Sequence, residues 1–432
     1  MHKKSRVSRI VCPPRSILSH LATHSVVFRF RSDASLFEKK IVNSFRSSLR
    51  NHSGRVLKSR LESYLCAILR NGNSNLIPKG AHAIRVSNVM KMNSGFSNDI
   101  YSASLAYTDK GTAKNRNFIL KTYLSNIDPV LKAYVHGEDL RRCVREFQAL
   151  RSLKRIGFPV PEAYLCECDS RFLGYPFVIM QKEEIVQKNI NELVDCFAIT
   201  LAKLHNLKLA EVKINVLRSP EDGYGFARRW PIYFKQCLNL ERKHDKKRKD
   251  FDLAIRWLNS HVSNNYCPQY CLVHGDYNPT NVCVTKDSRP VVLDWGSVNV
   301  GDPAYDVGYA YHFVKFSSNW ENPNLAESTA ERFLSEYTRN FHGDIHQRLE
   351  FYKMVGILGP SIYYSSILSN PIYAYKYLRF RVLSPFPFLG GLLVLLGFPF
   401  IRLPRVSRQL SAEVALFWLK YFEDYLKMNL KG

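Results

Sequence analysis

Two short apolar runs in the second half of the chain, "LVHGDYNPTNVCV" and "VVLDWGS", are separated by the polar turn "KDSR". Runs this short, rich in Val and bounded by turn residues, read as strands, and the turn folds them back into a hairpin. Pairing them puts Asn281, at the start of the first strand, and Asp294, at the end of the second, on one edge. His274 and Asp276 stand in the loop just before. Polar and charged groups gathered at one rim must face solvent, a cation or a ligand, because burying them unmatched is unfavourable.

The rest of the chain supplies a frame for that rim. At 432 residues it is long enough for two or three domains, and 46% apolar residues, with 26 Phe and 24 Tyr, make it globular. Residues 35–69 show helical periodicity in two stripes, one of them Leu57, Leu61, Leu65 and Ile68, broken by "NHSG" and followed by a linker at 71–75. "AIRVSNVMKM", "IYSASLAYT" and "NFILKTY" then read as three antiparallel strands. A helix, "EDLRRCVREFQALRSLKRIG", follows, and "FPVPEAYLCEC" and "YPFVIMQ" form a further hairpin. From Asn189 onward helices dominate, interrupted only by the strand pair "VCVT" and "PVVLD". The expected organisation is a basic, partly helical extension at 1–80, a small sheet lobe at 81–183, and a helical lobe at 184–432 that carries the loop 274–294.

The formal charge is +25. Residues 1–80 hold 16 Lys and Arg against Asp33, Glu38 and Glu62, a net of +13, which leaves +12 for the rest. A basic tail of this kind solvates or binds polyanions loosely, and the chain shows no zinc or aromatic signature of a specific nucleic-acid module. The first 32 residues, with seven Lys or Arg and no acid, have either the composition of an organelle transit peptide or that of a solvated tail. Ten scattered cysteines fit free thiols in a reducing, cytoplasmic setting.

Phosphoryl transfer needs an orienting base for a hydroxyl, oxygen ligands for Mg²⁺ and cations on the phosphates. Asp276 suits the first need, and Asn281 and Asp294 the second. "HGDYNPTN" followed by "LDWG" resembles the motif of the aminoglycoside phosphotransferase family, whose members share the protein-kinase-like fold. "NSGFSNDIY", "ILKTY", "REFQALRSLKRIGFPVPEAY" and "GDPAYDVGYA" resemble further family segments, from about Arg85 to His312.

The resemblance implies an α+β, bilobal protein-kinase-like fold with a small antiparallel-sheet N-lobe and a larger helical C-lobe. It implies ATP and Mg²⁺ as cofactors and a small-molecule hydroxyl as acceptor. Lys121 is expected on the nucleotide's phosphates, held by an ion pair with Glu146, with Ser97 and Asn98 in the phosphate loop. Met180, Gln181, Lys182 and Glu183 are expected to form the hinge that meets adenine. Asp276 becomes the catalytic base, Asn281 and Asp294 the metal ligands and His274 an organiser of the loop, braced by Asp302 and Asp306. The chain departs from protein kinases in having one loop glycine, Gly95, and Trp295 after Asp294, with no long activation segment, which points to a small-molecule acceptor. With +12 outside the extension, a neutral or anionic acceptor is expected rather than a polycation.

Other readings stay open on sequence grounds: a nucleotide-binding pseudokinase scaffold, or a basic adaptor at membranes or nucleic acid. Residues 382–401 are twenty uncharged positions flanked by Arg381 and Arg402. Three Pro, three Gly and two basic flanks favour a buried or interfacial hairpin, with peripheral membrane contact, over a span.

Overall fold

The computed structural model describes residues 54–70, 76–78, 80–92, 98–123, 139–186, 188–240, 248–369 and 405–430. The expectations for Ser97, for Gly95, for the apolar segment 382–401 and for the first 53 residues lie outside them. The described residues cluster in two units. One holds those before Ser125 together with Glu162–Lys182. The other holds those of 126–161 and those from Glu183 on.

The first unit is a five-stranded antiparallel sheet with a helix on one face. Its strands are β1 (His82–Lys91), β2 (Asn98–Asp109), β3 (Thr112–Tyr123), β4 (Ala163–Glu167) and β5 (Phe177–Gln181), in the order β1-β2-β3-β5-β4. The β2–β3 turn is Lys110-Gly111, both with positive φ, which matches the twist of a two-residue hairpin. Helix α1 (Gly54–Arg70) lays Leu61, Tyr64 and Leu65 on Val86, Leu105, Phe118 and Phe177. Two polar contacts fix its seat: Glu62 accepts from the Val86 amide at 2.7 Å, and the Tyr64 hydroxyl donates to Glu167 at 2.6 Å. The sheet unit therefore begins inside the stretch that sequence reasoning marked as an extension.

The second unit is mainly helical. It comprises α2 (Asp139–Arg155), β6 (Ile185–Val186), α3 (Ile190–His205), α4 (Gly225–Leu240), α5 (Arg248–His261), β7 (Cys271–Val273), β8 (Val282–Thr285), β9 (Pro290–Val292), β10 (Asn299–Gly301), α6 (Pro303–Glu321), α7 (Ala326–Asn340), α8 (His346–Ser369) and α9 (Arg405–Leu430). The expected hairpin is β8–β9, and two features were absent from the sequence reading: β6 adds to it as an edge strand, and β7 pairs with β10. Helix α2 also differs, since it clusters with the helices rather than with the sheet lobe to which its position in sequence assigned it.

Helix α6 forms the core of this unit, buried from Pro303 to His312. It crosses α8 closely enough that a Cβ on Gly308 would run into the Tyr352 backbone, and one on Gly356 would meet the Tyr309 backbone at 2.7 Å. Only glycine allows that approach. Helix α9 covers α8 through Trp418, whose Nε1 donates to the Ile357 carbonyl at 3.3 Å. The α+β character expected from the sequence is present: a small antiparallel sheet unit and a larger helical one.

Candidate active site

The loop between β7 and β8 is held from behind by a carboxylate. Asp306, buried in the first turn of α6, accepts from the backbone amides of His274 at 2.6 Å and Gly275 at 2.9 Å. Its Oδ2 also meets Nε2 of His205 at 3.2 Å, and the other ring nitrogen of His205 meets the Tyr337 hydroxyl at 2.8 Å. A buried acid with this many donors is fully matched, so it fixes the loop backbone rather than acting on a ligand. Asp302, at the start of the same helix, is likewise structural. It caps α6 through the Ala304 amide at 3.0 Å and pairs with Arg348 at 2.7 Å.

His274 is completely buried. Its Nε2 lies 2.9 Å from the Leu293 carbonyl, which can only accept, so that nitrogen carries the hydrogen. Nδ1 then accepts from the Asp276 amide at 3.2 Å. The ring thus ties the loop to the residue before Asp294. Gly275 has φ of +83°, and a side chain there would strike the Ser297 carbonyl, so both conformation and space require glycine.

The Asp276 carboxylate is oriented by three donors. Oδ1 accepts from the Tyr309 hydroxyl at 2.7 Å and from Asn278 Nδ2 at 2.9 Å, while Oδ2 accepts from Asn281 Nδ2 at 3.1 Å. Burial raises its pKa, and the charge of Asp294 adds to the rise, while the Tyr309 hydrogen bond opposes it. Asn281 also donates to the Asp276 carbonyl at 2.9 Å. With its nitrogen engaged there, its amide oxygen is the end presented elsewhere. Asp294 follows β9 in the left-handed conformation, φ 59° and ψ 62°, with the Leu293 amide bonded to the Asn281 carbonyl at 2.8 Å. Asp276, Asn281 and Asp294 are therefore brought together, with His274 beneath them.

Behind Asp294, Trp295 is buried, donates to the Val292 carbonyl at 3.0 Å, and packs edge-on to Phe158. Helix α2 closes on the next residue: Glu146 and Arg142 reach within 3.5 Å of where a Cβ on Gly296 would lie. Glu146, 1% exposed, is thus set beside the Asp294–Gly296 turn. In the sheet unit, Lys121 is buried on β3 with its ammonium over the Tyr123 ring at 5.6 Å. Asn98 opens β2, buried, with its amide oxygen unmatched, the kind of polar end that a ligand or water satisfies. Met180 and Gln181 end β5, and the two units divide between Lys182 and Glu183. Burial raises the pKa of Glu183, against the pull of Lys154 and Arg289.

Oxygen donors from one amide and one carboxylate suit a hard cation such as Mg²⁺, which takes few protein ligands and completes its shell with phosphates and water. Among the described residues no group of three or more His, Cys, Asp or Glu side chains gathers as a metal cage, and no helix is long and apolar enough to cross a membrane. Tyr309 was missed from the sequence. It lies on the "GDPAYDVGYA" helix one turn after Asp306, and that spacing alone could have placed it on the loop's side of α6.

The chain is 26% identical over 349 residues to acyl-CoA dehydrogenase family member 11 of Gallus gallus, covering 72% of this chain and 40% of that protein. It is 24% identical over 334 residues to family member 10 of Mus musculus, covering 69% of this chain and 27% of that protein. It spans less than half the length of these relatives. Among solved structures, an aminoglycoside phosphotransferase-like protein from Ralstonia eutropha matches with a TM-score of 0.49 at 15% identity, covering 85% of this chain and 98% of that one. Choline kinase LicA from Streptococcus pneumoniae matches with a TM-score of 0.45 at 14% identity, covering 83% and 99%. The model of the phosphotransferase enzyme family matches residues 108–350, more than half of the sequence, and the chain belongs to that family.

Proposed function

We propose that this chain transfers the γ-phosphate of ATP to a hydroxyl of a neutral or anionic small molecule, with Mg²⁺ as cofactor. The observation that carries this reading is the convergence of Asp276, Asn281 and Asp294 at one rim, within a chain of the phosphotransferase enzyme family. The bound Mg·ATP supplies the phosphoryl group and the charge that stabilises its transfer. Asp276 orients the acceptor hydroxyl and takes its proton. Three donors fix the carboxylate's direction, and its raised pKa makes it a better proton acceptor than a solvated aspartate. Asn281 and Asp294 hold the metal through oxygen. Lys121 contacts the α- and β-phosphates and pairs with Glu146, Ser97 and Asn98 line the phosphates, and the Met180–Glu183 backbone meets adenine. His274 positions the loop. The relatives' names make an acyl-linked hydroxyl one acceptor to test. Peripheral membrane contact through 382–401 belongs to the same proposal and is tested by liposome flotation of the full chain and of a version lacking that segment.

The deciding experiment is an ATP-consumption screen across hydroxylated metabolites, aminoglycosides included, on wild type and Asp276→Asn. Turnover lost in the variant supports the reading. Nucleotide binding without turnover on any acceptor leaves a pseudokinase scaffold in its place, and efficient phosphorylation of kanamycin-like polycations overturns the charge preference.

A further inference from the structure

The outer edge of the sheet unit carries a pair of thiols. Strand β4 is an edge strand beside β5, with Cys166 paired to Val178 and Glu167 to Phe177, and Cys168 follows directly. Residues i and i+2 of a strand point to the same face, so Cys166 and Cys168 stand side by side, their Sγ atoms 4.0 Å apart. Both are reduced and only half-buried, so solvent reaches them.

The backbone around the pair is held in place. Glu167, between the two cysteines, accepts from the Tyr64 hydroxyl of α1 at 2.6 Å and from the Asp169 amide at 2.7 Å. Asp169 in turn accepts from the Arg171 amide at 2.9 Å, which closes the turn that follows. Tyr64 packs on Phe172 in the same turn, ring centroids 4.7 Å apart. Thiols kept this close react with each other in preference to solvent thiols once one of them is bound as a mixed disulfide. Two residues of extended strand span about 6.4–6.8 Å between Cα atoms, the upper end of what a disulfide bridges, against a common separation of about 5.5–6 Å. Closing the bond therefore draws the two Cα atoms together and puckers the chain at Glu167. A bond closed against the strand in this way is readily reduced, which suits a reversible modification and not a permanent staple.

We infer that Cys166 and Cys168 form a reversible disulfide site, oxidised by a small disulfide of the glutathione class, and that closing it loosens the seat of α1 on the sheet. The thiolate of one cysteine attacks the small disulfide, giving a mixed disulfide and releasing one small thiol. The thiolate of the other cysteine then attacks the protein sulfur of that mixed disulfide and expels the second small thiol. The two protein thiols lose two electrons and two protons, and the small disulfide takes up both. The strain of closure falls on Glu167, whose carboxylate is the polar anchor of Tyr64, so α1 is released in part.

Trypsin cuts after Arg155 and Arg171, and the peptide between the cuts, residues 156–171, contains these two cysteines and no other. The test incubates the full chain with reduced and oxidised glutathione in varied ratio, then quenches in acid, alkylates and digests. As the oxidised share rises, this peptide should appear unalkylated and two hydrogens lighter than the dithiol, and dithiothreitol should return it to the dialkylated form. In the oxidised chain, hydrogen exchange across α1 should speed up by about tenfold, the effect of weakening one hydrogen bond to a charged group. In Cys166→Ser and Cys168→Ser, each checked for folding by a melting curve, oxidised glutathione should leave α1 exchange unchanged. The disulfide site is overturned if the folded chain keeps this peptide as a dithiol in oxidised glutathione alone, if the peptide carries only glutathione adducts, or if either cysteine pairs elsewhere in the chain. The link to α1 is overturned if the fully closed disulfide leaves α1 exchange as it is in the reduced chain, or if the serine variants show the same acceleration.

Discussion

At the residue scale, the roles proposed for three side chains at one rim are separable, and their variants should fail differently. Asp276→Asn keeps the size and the contacts to Tyr309 but removes the basic oxygen, so kcat should fall by about 10²–10⁴ while Mg·ATP binding stays near wild type. Asp294→Asn removes a charge proposed for the metal, so nucleotide affinity should drop in Mg²⁺ and much less in EDTA; equal loss in both would reject the assignment. Tyr309→Phe deletes the 2.7 Å bond to Asp276 Oδ1. A hydrogen bond to a charged group contributes about 1.5–3 kcal/mol, so kcat should fall by about ten- to a hundred-fold. That bond also holds the Asp276 pKa down, so its loss should move the acid limb of the pH–rate profile to higher pH. An unmoved limb would mean that Tyr309 does not act through Asp276. The three rim residues were legible because the Asp-to-Asn spacing and the hairpin are local. Tyr309 was legible only in part: its spacing from Asp306 sets its side of α6, but its contact with Asp276 depends on tertiary packing.

At the element scale, the helix interiors are packed around a few buried polar groups. His312, on α6, is completely buried between α8 and α9. Its Nε2 donates to the Lys353 carbonyl at 2.8 Å, so Nδ1 accepts from the Tyr421 hydroxyl at 2.9 Å, and the ring is neutral. Burial lowers its pKa to about 3. The unfolded chain takes up a proton near pH 6.5 while the folded chain refuses it, so stability is fully present above that pH and is lost as pH falls toward 3. The loss runs at about 1.4 kcal/mol per pH unit, or about 2 kcal/mol at pH 5. His312→Gln can donate and accept in the same places without titrating, so denaturant midpoints at pH 7 and pH 5 should separate less in the variant than in wild type. Equal separation would remove His312 from the acid response. The element patterns themselves read well from sequence, since α1, α2 and the β8–β9 hairpin all overlap apolar patterns quoted for them. What those patterns could not say is which surface each helix buries against. Helix α2 is amphipathic whether it covers a sheet or the Asp294–Gly296 turn, and only the structure shows the latter.

At the scale of the whole molecule, the boundary that sequence drew at residue 80 follows charge and composition, and packing ignores it. Helix α1 contributes Leu61 and Leu65, both with no exposure, and Tyr64 to the core of the sheet unit. Its Glu62 also satisfies the Val86 amide on the edge strand β1, so removing the helix would uncover an apolar sheet face and an unpaired donor together. Leu61→Ala and Leu65→Ala should each lower stability by about 2–5 kcal/mol, the range for truncating a buried leucine, read as a lower urea midpoint at unchanged slope. A chain starting at residue 81 should lose solubility or melt well below one starting at residue 54. Equal melting of the chain from 81 and the chain from 54 would show that α1 is an ornament on the sheet. The opposite result would place residues 54–80 within the catalytic fold's minimum length, although the family match begins only at residue 108.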